Sequence, residues 1–583
     1  MRCQAGQTSA GQPGPGRISA AGIIAPVDYL AKAVIVRNRR LRGWSPALCL
    51  PLACLLAVLA CTRGDMPVDY SRITPLAIGG PTATWTVRAS GMTPSATPAT
   101  PAPTPTLEPA TPPVTMAFTV TPRPTQNVAF PPTPDATRPS ILDRSVVGSY
   151  TVQRGDTLGQ ISQRYGVSAA QLAEANGMKV TDTLMAGRNL VVPLPDVRNA
   201  GLDNKLLPDS EFVYGPGTVG FNLEGFIQAQ HSYLSNYTEE VAGMYLDGTM
   251  DRATLTGAEI VQLVAERYSV SPKVLLAVLD YQSGWVTNRR PSDNTLVFPI
   301  GRVEVGREGL LRQLSWAANQ LNAGYYGWRV GSLASFVFGD GSLRLIARGL
   351  NAGTVGVQNF FAQVDNAADW TKAVSATGFS RSYRVLFGNP FIWGVEPLVP
   401  ADLVQPAMQL PFESGTTWVF TGGPHAGWDS GSAWAAIDFA PADIAGCVTS
   451  DAWVAASAPG VIVQSQYGAV LEDLDGDGYE GTGWVILYLH VASRDRVSVG
   501  TVVKAGDRLG HPSCEGGVAN ATHVHLARKY NGEWISADGT VPFVLDGWIS
   551  AGLGREYDGD LVKGDVTIEA YDGHAASNEI SRP

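Results

Sequence analysis

The hydrophobic pattern changes character several times along the chain. Residues 46–60, PALCLPLACLLAVLA, pass without a charge, a run shorter than the about 20 residues a membrane span needs. Residues 62–147 show no apolar period at all and are dominated by Thr and Pro, as in TPSATPATPAPTPTLEPATPPVT over 93–115; such a segment buries no core and predicts an extended tether. Tyr150 and Val152 then alternate as in a strand, and Leu158 and Ile161 follow at helical spacing, with Asp156 or Thr157 placed to cap that helix and Ser168 the next. Residues 258–280, AEIVQLVAERYSVSPKVLLAVLD, read as two amphipathic helices broken near Ser271-Pro272.

In the last third the period falls to two. Residues 434–439, 483–491 and 521–527 are strand candidates. In the last of these, alternation puts His523 and His525 on one face and Val524 and Leu526 on the other. In the second, His490 is expected to share its face with Tyr488 and Ile486. In the first, Asp438 sits among apolar neighbours, where an unpaired carboxylate is costly and a bound cation removes the cost.

Charge and cysteine usage narrow the class. The 583 residues carry a formal net charge of -10, which argues against a nucleic-acid partner. A basic patch at 36–42 precedes the apolar run, the order of a secretory signal, with the true start expected downstream of Met1. Val58-Leu59-Ala60-Cys61 resembles the lipobox of bacterial lipoproteins, which implies a signal over 1–61, acylation of Cys61 and anchorage on the outer side of a membrane. An ordinary signal peptide is the alternative. Export places the body of the chain in an oxidising compartment, where Cys447 and Cys514 form either a disulfide or two buried thiols.

Residues 148–195 resemble the LysM module, through Tyr150, Val152, Gly155-Asp156-Thr157-Leu158, Tyr165-Gly166, Asn176-Gly177 and a second half ending at Pro193. The resemblance implies a βααβ fold that binds N-acetylglucosamine-containing glycan. Within residues 196–408, Tyr281-Gln282-Ser283-Gly284 and the Asn-Ala-Gly segments at 322–324 and 351–353 resemble a lytic transglycosylase in which Gln282 replaces the acid. An amide donates no proton, so two readings stand: a lysozyme-like, non-catalytic glycan cradle, or an unrelated helical domain.

Five of the seven histidines fall between 425 and 525. Two His and one Asp around zinc, with the fourth position open, form a catalytic arrangement. Tyr488-Leu489-His490, the Gly500, Gly506, Gly510 spacing and His523-Val524-His525 resemble the LytM-type endopeptidases of family M23. The resemblance covers about 416–543 and implies His525 as a zinc ligand with Asp438, and His490 and His523 as the catalytic pair. Most members place the other His four residues before the Asp, where Trp434 stands here. Gly422-Gly423-Pro424-His425 resembles the longer spacing of the beta-lytic and staphylolytic branch, so His425 is expected to be the first ligand. His511 is read as structural; His231 and His574 receive no role. Asp473, Asp475 and Asp477 resemble the start of a calcium loop, but Trp484 stands where an EF-hand has Glu; an acidic hairpin tip and a small calcium turn both remain.

The expected architecture is multidomain α+β: the βααβ LysM module, a mostly helical middle domain, a mainly antiparallel β peptidase domain over 409–554, and a tail over 555–583 that closes on the β domain or stays apart. The function expected is a zinc endopeptidase acting on the peptides of peptidoglycan. The alternatives are a binding protein that activates other wall hydrolases, and a glycan-cleaving enzyme, which Gln282 argues against.

Overall fold

The computed structural model describes residues 141–243, 252–392 and 394–582. The export signal, Cys61 and most of the Thr/Pro-rich stretch lie outside the described residues.

The first unit is small and follows from its caps. Strand β1 (Gly148–Thr151) pairs antiparallel with β2 (Asn189–Val192), Gly148 opposite Val192. Between them run the helices Leu158–Tyr165 and Ala169–Ala175. Thr157 forms a capping box with Gln160, and Ser168 with Gln171, each satisfying two otherwise orphaned backbone donors. Asp156 does not cap; it accepts from the Tyr150 hydroxyl at 2.7 Å. Val152, Leu158, Ile161, Leu172, Leu190 and Val192 form the core.

The middle region is helical. Its principal helices are Leu223–Gln230, Gly257–Tyr268, Pro272–Ser283, Leu310–Arg329, Ala352–Val364 and Phe379–Phe387. Two hairpins accompany them: β3 (Thr238–Ala242) with β4 (Arg252–Thr256), and β5 (Ser335–Val337) with β6 (Leu343–Leu345). The break at Ser271-Pro272 is real: Ser269 ends one helix in the left-handed conformation (φ 52°) and Pro272 opens the next. Helices Leu310–Arg329 and Ala352–Val364 meet backbone to backbone, a Cβ on Gly324 lying 2.8 Å from Gly356 Cα. Asn322 gives its amide to Tyr268 O, and Asn351 gives its own to Leu207 O and the Asp209 carboxylate. The first Asn-Ala-Gly segment thus ties Leu310–Arg329 to two neighbouring helices, and the second ties the start of Ala352–Val364 to residues 207–209. Gln282 lies in the last turn of Pro272–Ser283, its Nε2 buried and without a hydrogen bond.

The C-terminal region is built on strands β7 (Thr417–His425), β8 (Ala436–Pro441), β9 (Val454–Ala455), β10 (Gly460–Gln466), β11 (Ala469–Asp473), β12 (Trp484–Leu489), β13 (Val502–Val503), β14 (Arg508–Gly510), β15 (Val524–Tyr530) and β16 (Glu533–Trp534). They continue through β17 (Val544–Leu545), β18 (Trp548–Gly552), β19 (Gly559–Lys563), β20 (Val566–Glu569) and β21 (Glu579–Ser581). One large sheet has the order β13-β10-β11-β12-β15-β8-β7-β21, with β16 on β15; a second runs β17-β18-β19-β20. The tail closes on the β domain, since β19 and β20 extend the second sheet and β21 pairs with β7.

The two faces of the large sheet bury different partners. Ile437, Phe439, Ile486, Tyr488, Val524 and Leu526 point into one core with Phe412, Trp418 and Leu561. Ala436, Val485, Leu487, Leu489 and Ala527 point the other way and join the core of the helical region. Buried polar bonds cross this contact: Glu533 accepts from Tyr325 at 2.9 Å and from Arg329 at 2.7 Å, and Tyr326 accepts from Trp534 N at 3.0 Å. The helices thus cover part of the face that carries Asp438 and His525.

Candidate metal centre

Three strands bring the site together. His525 on β15 stands directly opposite Asp438 on β8, and Gly422 on β7 is opposite Asp438 on its other side. Strand β7 shifts register between Phe420 and Gly422 and again before His425; these irregularities swing His425 over the carboxylate. Gly422 is needed for space: a Cβ there lies 2.8 Å from Asp438 Oδ2.

His425 Nε2 and His525 Nδ1 stand 2.9 Å apart, and Asp438 Oδ1 is 3.2 Å from the first and 3.3 Å from the second. All three residues are buried. The outer nitrogen of each ring is held by a carbonyl, His425 Nδ1 by Gly423 O at 2.8 Å and His525 Nε2 by Gly427 O at 3.1 Å. A carbonyl only accepts, so each outer nitrogen carries the proton and each inner nitrogen of a neutral ring presents a lone pair. Asp438 Oδ1 accepts no hydrogen bond despite its near neighbours. Two lone pairs and a carboxylate oxygen converging in a buried site form a set that could hold a metal cation.

Electrostatics agree. Burial opposes the charge on Asp438, yet the imidazoles of His425 and His523 hold its carboxyl well below the usual range. Burial is the largest single influence on His425 and lowers it, but the Asp438 carboxylate, the Gly423 carbonyl and Glu556 together outweigh it, and the net shift is upward. His525, touching the same oxygen, goes down, with burial the largest cause. The opposite directions reflect one added positive charge shared by two rings that cannot both take it.

His490 and His523 complete the cluster, their ring centroids 4.5 Å apart. Their Nδ1 atoms are fixed by Glu515 O and Ala521 O, each at 2.8 Å, leaving both Nε2 atoms to the site; His523 Nε2 is 3.8 Å from Asp438 Oδ2. Burial pushes His490 down to about 3, with the rings of His523 and His525 adding. Here the expected alternation fails. Tyr488 and Ile486 face the opposite core, where the Tyr488 hydroxyl donates to Glu472 at 2.6 Å. His490 adopts φ 65° just past the end of β12, and this left-handed turn carries its ring round to the Asp438 face.

Cys447 and Cys514 are joined in a disulfide. The bond ties down the segment that steers the catalytic candidates: Ser513 N donates to His490 O at 2.7 Å, His523 N to Ser513 O at 3.3 Å, and Glu515 O holds the His490 ring.

Tyr557, which the sequence did not single out, stacks on His425 with centroids 4.2 Å apart and planes at 19°. Burial pushes its phenol up to about 12, Asp438 and Glu556 adding, so it is protonated at neutral pH. Its position after β18, 32 residues beyond His525, gave no local signal.

The remaining candidates lie apart from this cluster. His511 Nδ1 is bonded to Ala452 O at 2.8 Å and its ring packs on Trp453. His574 pairs with Glu579 at 2.9 Å. His231 caps the helix Leu223–Gln230 in the middle region. Asp473, Asp475 and Asp477 form a separate group whose carboxylate oxygens lie within 4.8 Å of one another, and they accept backbone N–H bonds of their own turn.

Regions of the chain are similar to known proteins. Residues 150–193 match the LysM domain family and residues 205–401 match the family described as LasA, N-terminal domain. Protease LasA of Pseudomonas aeruginosa (strain UCBPP-PA14) is 25% identical over 354 residues, covering 57% of this chain and 75% of that protein. Among solved structures, the M23 metalloprotease pseudoalterin from the deep sea aligns at 22% identity over 29% of this chain and 96% of its own, with a TM-score of 0.24. The catalytic domain of the antimicrobial peptidase lysostaphin from Staphylococcus simulans aligns at 25% over 21% and 89%, with a TM-score of 0.15.

Proposed function

We infer that this chain, a LysM-containing M23 peptidase, is a zinc metalloendopeptidase that hydrolyses peptide bonds of peptidoglycan. The observation that carries the reading is the convergence of His425 Nε2, His525 Nδ1 and Asp438 Oδ1 on one point, with every outer ring nitrogen already committed. His425, Asp438 and His525 would hold the metal. Zinc at such a set of two imidazoles and a carboxylate supplies Lewis acidity toward a carbonyl and acidifies water.

The chain's own groups then divide the remaining work. His490 and His523, each anchored through Nδ1, offer Nε2 to accept and return a proton at the scissile amide. The Tyr557 phenol, protonated and stacked on His425, would donate a hydrogen bond to developing negative charge. The burial of His425, His490 and His525 keeps water from competing for these bonds.

LysM residues 150–193 support glycan binding, which would hold the enzyme on its polymer. Acylation of Cys61 would keep it at the outer side of a membrane, with the tether setting its reach. Among the described residues no helix is long and apolar enough to cross a membrane. Calcium at Asp473, Asp475 and Asp477 belongs to the same proposal, supported by the convergence of their oxygens. The binding-protein alternative requires an incomplete ligand set, whereas both imidazoles and the carboxylate are present and aligned.

The test is zinc content measured beside release of peptide amines from purified walls, for the chain and for His525→Ala. We expect one zinc per chain and hydrolysis, with metal lost and activity down roughly a thousandfold or more in the variant. A folded parent that binds no zinc and releases nothing would overturn the peptidase reading in favour of the binding protein.

A further inference from the structure

A second concave site lies on the helical region, away from the histidine cluster. A cleft of about 620 Å³ opens between the end of the helix Leu223–Gln230, the start of β3 and the loop after Pro272–Ser283. That volume falls in the range of small-molecule sites. Its lining includes Gln228, His231, Tyr233, Asn236, Tyr237 and Arg289.

The lining is built rather than incidental. Tyr233 and Tyr237 both lean on the fully buried Trp285, at centroid distances of 4.6 Å and 5.0 Å. Backbone bonds from Tyr233 N to Asn288 O (2.9 Å) and from Leu234 N to Trp285 O (3.1 Å) lock the two walls together. His231 takes φ 49° where the helix ends, a conformation that non-glycine residues adopt sparingly and that turns the chain into the cleft. Arg289 spends Nε on His231 O at 2.9 Å. Its two terminal nitrogens, the His231 ring and the Tyr233 hydroxyl have no partner among the described residues.

These groups specify a ligand class. Aromatic faces held rigid offer apolar contact to a sugar ring at little entropic cost. Gln228 and Asn236 each give one amide hydrogen to the wall itself, to Ser235 O at 3.3 Å and Ser232 O at 3.2 Å, which orients their carbonyl oxygens and second hydrogens toward hydroxyl and acetamido groups. The planar fork of Arg289 matches a carboxylate. We propose that this cleft binds a carboxylate-bearing N-acetylated amino sugar, the chemistry of a muramyl residue, giving the chain a glycan contact separate from the LysM module. The choice of sugar rests on the peptidoglycan reading; the cleft and its chemistry do not.

The experiment titrates the full chain by calorimetry with N-acetylmuramic acid and, separately, with the N-acetylglucosamine tetramer. The wild type is expected to bind both. Arg289→Ala, an exposed position, is expected to weaken muramic acid about tenfold while leaving the tetramer unchanged. Tyr233→Ala should abolish muramic acid binding. No muramic acid binding by the wild type, or affinities within about twofold in Arg289→Ala, would overturn the proposal. Wall hydrolysis measured on the same samples separates the two readings: binding without hydrolysis removes the peptidase reading and leaves the cleft, and the converse removes the cleft alone.

Discussion

The ring of Tyr557 lies on that of His425, nearly parallel and 4.2 Å away. The two are further joined through backbone, with Tyr557 N donating to Pro424 O at 3.1 Å and Gly423 N to Tyr557 O at 2.9 Å. The tail after β18 therefore braces a metal-ligand candidate from outside the sheet. Tyr557→Phe keeps the stack and removes the hydroxyl. We expect it to retain zinc and lose kcat by roughly a hundredfold, whereas Tyr557→Ala should also weaken metal retention. Zinc content beside steady-state rates checks both.

Gly422→Ala introduces a Cβ 2.8 Å from Asp438 Oδ2. The carboxylate must move, and a displacement of this order costs on the order of a hundredfold in rate. Secondary structure by circular dichroism should stay unchanged while zinc affinity falls. An active, zinc-replete Gly422→Ala chain would show that Asp438 has more freedom than the register implies.

Reduction of Cys447–Cys514, 67 residues apart in sequence, should act on both stability and rate. Closing a loop of that length contributes about 4 kcal/mol in the chain-entropy model. Because Ser513 and Glu515 flank the bond and hold His490 and His523, Cys447→Ser/Cys514→Ser is expected to lower kcat at temperatures where the variant remains folded. Rates compared at 10 °C below its own Tm test this.

Glu472 is fully buried and burial raises its carboxyl from 4.5 to about 8, with Tyr488 donating to it and Asp473 adding repulsion. The folded state thus holds a proton that the unfolded state releases above 4.5. Stability from this group is present below that value and declines as pH rises toward about 8. Glu472→Gln preserves an acceptor for Tyr488 and removes the titration. Its Tm should fall less than the wild type's between those limits; equal slopes would place the pH dependence elsewhere.

Much of the site was legible because its signals are local. His523 and His525 at period two and Asp438 on an apolar strand follow from side-chain alternation, and cap residues marked the helix starts at Ser168 and at the Asp156–Thr157 pair, of which Thr157 is the cap. His490 was misplaced because alternation fails at one residue: a φ of 65° leaves no mark in composition. Tyr557 was missed because its value lies wholly in a contact made from outside the large sheet. The partition of β12, with Val485, Leu487 and Leu489 against the helices and Ile486 and Tyr488 behind, was hidden too. A strand buried on both faces reads as a continuous apolar run and does not say which neighbour each side chain meets.

Leu487 and Ala527 sit in the same core as Trp285 and Phe360, so the helices and the sheet have no clean seam between them. Severing the chain near residue 408 would leave a broad apolar scar on each fragment. Helices and sheet should accordingly unfold in a single cooperative step, with no temperature at which one survives without the other.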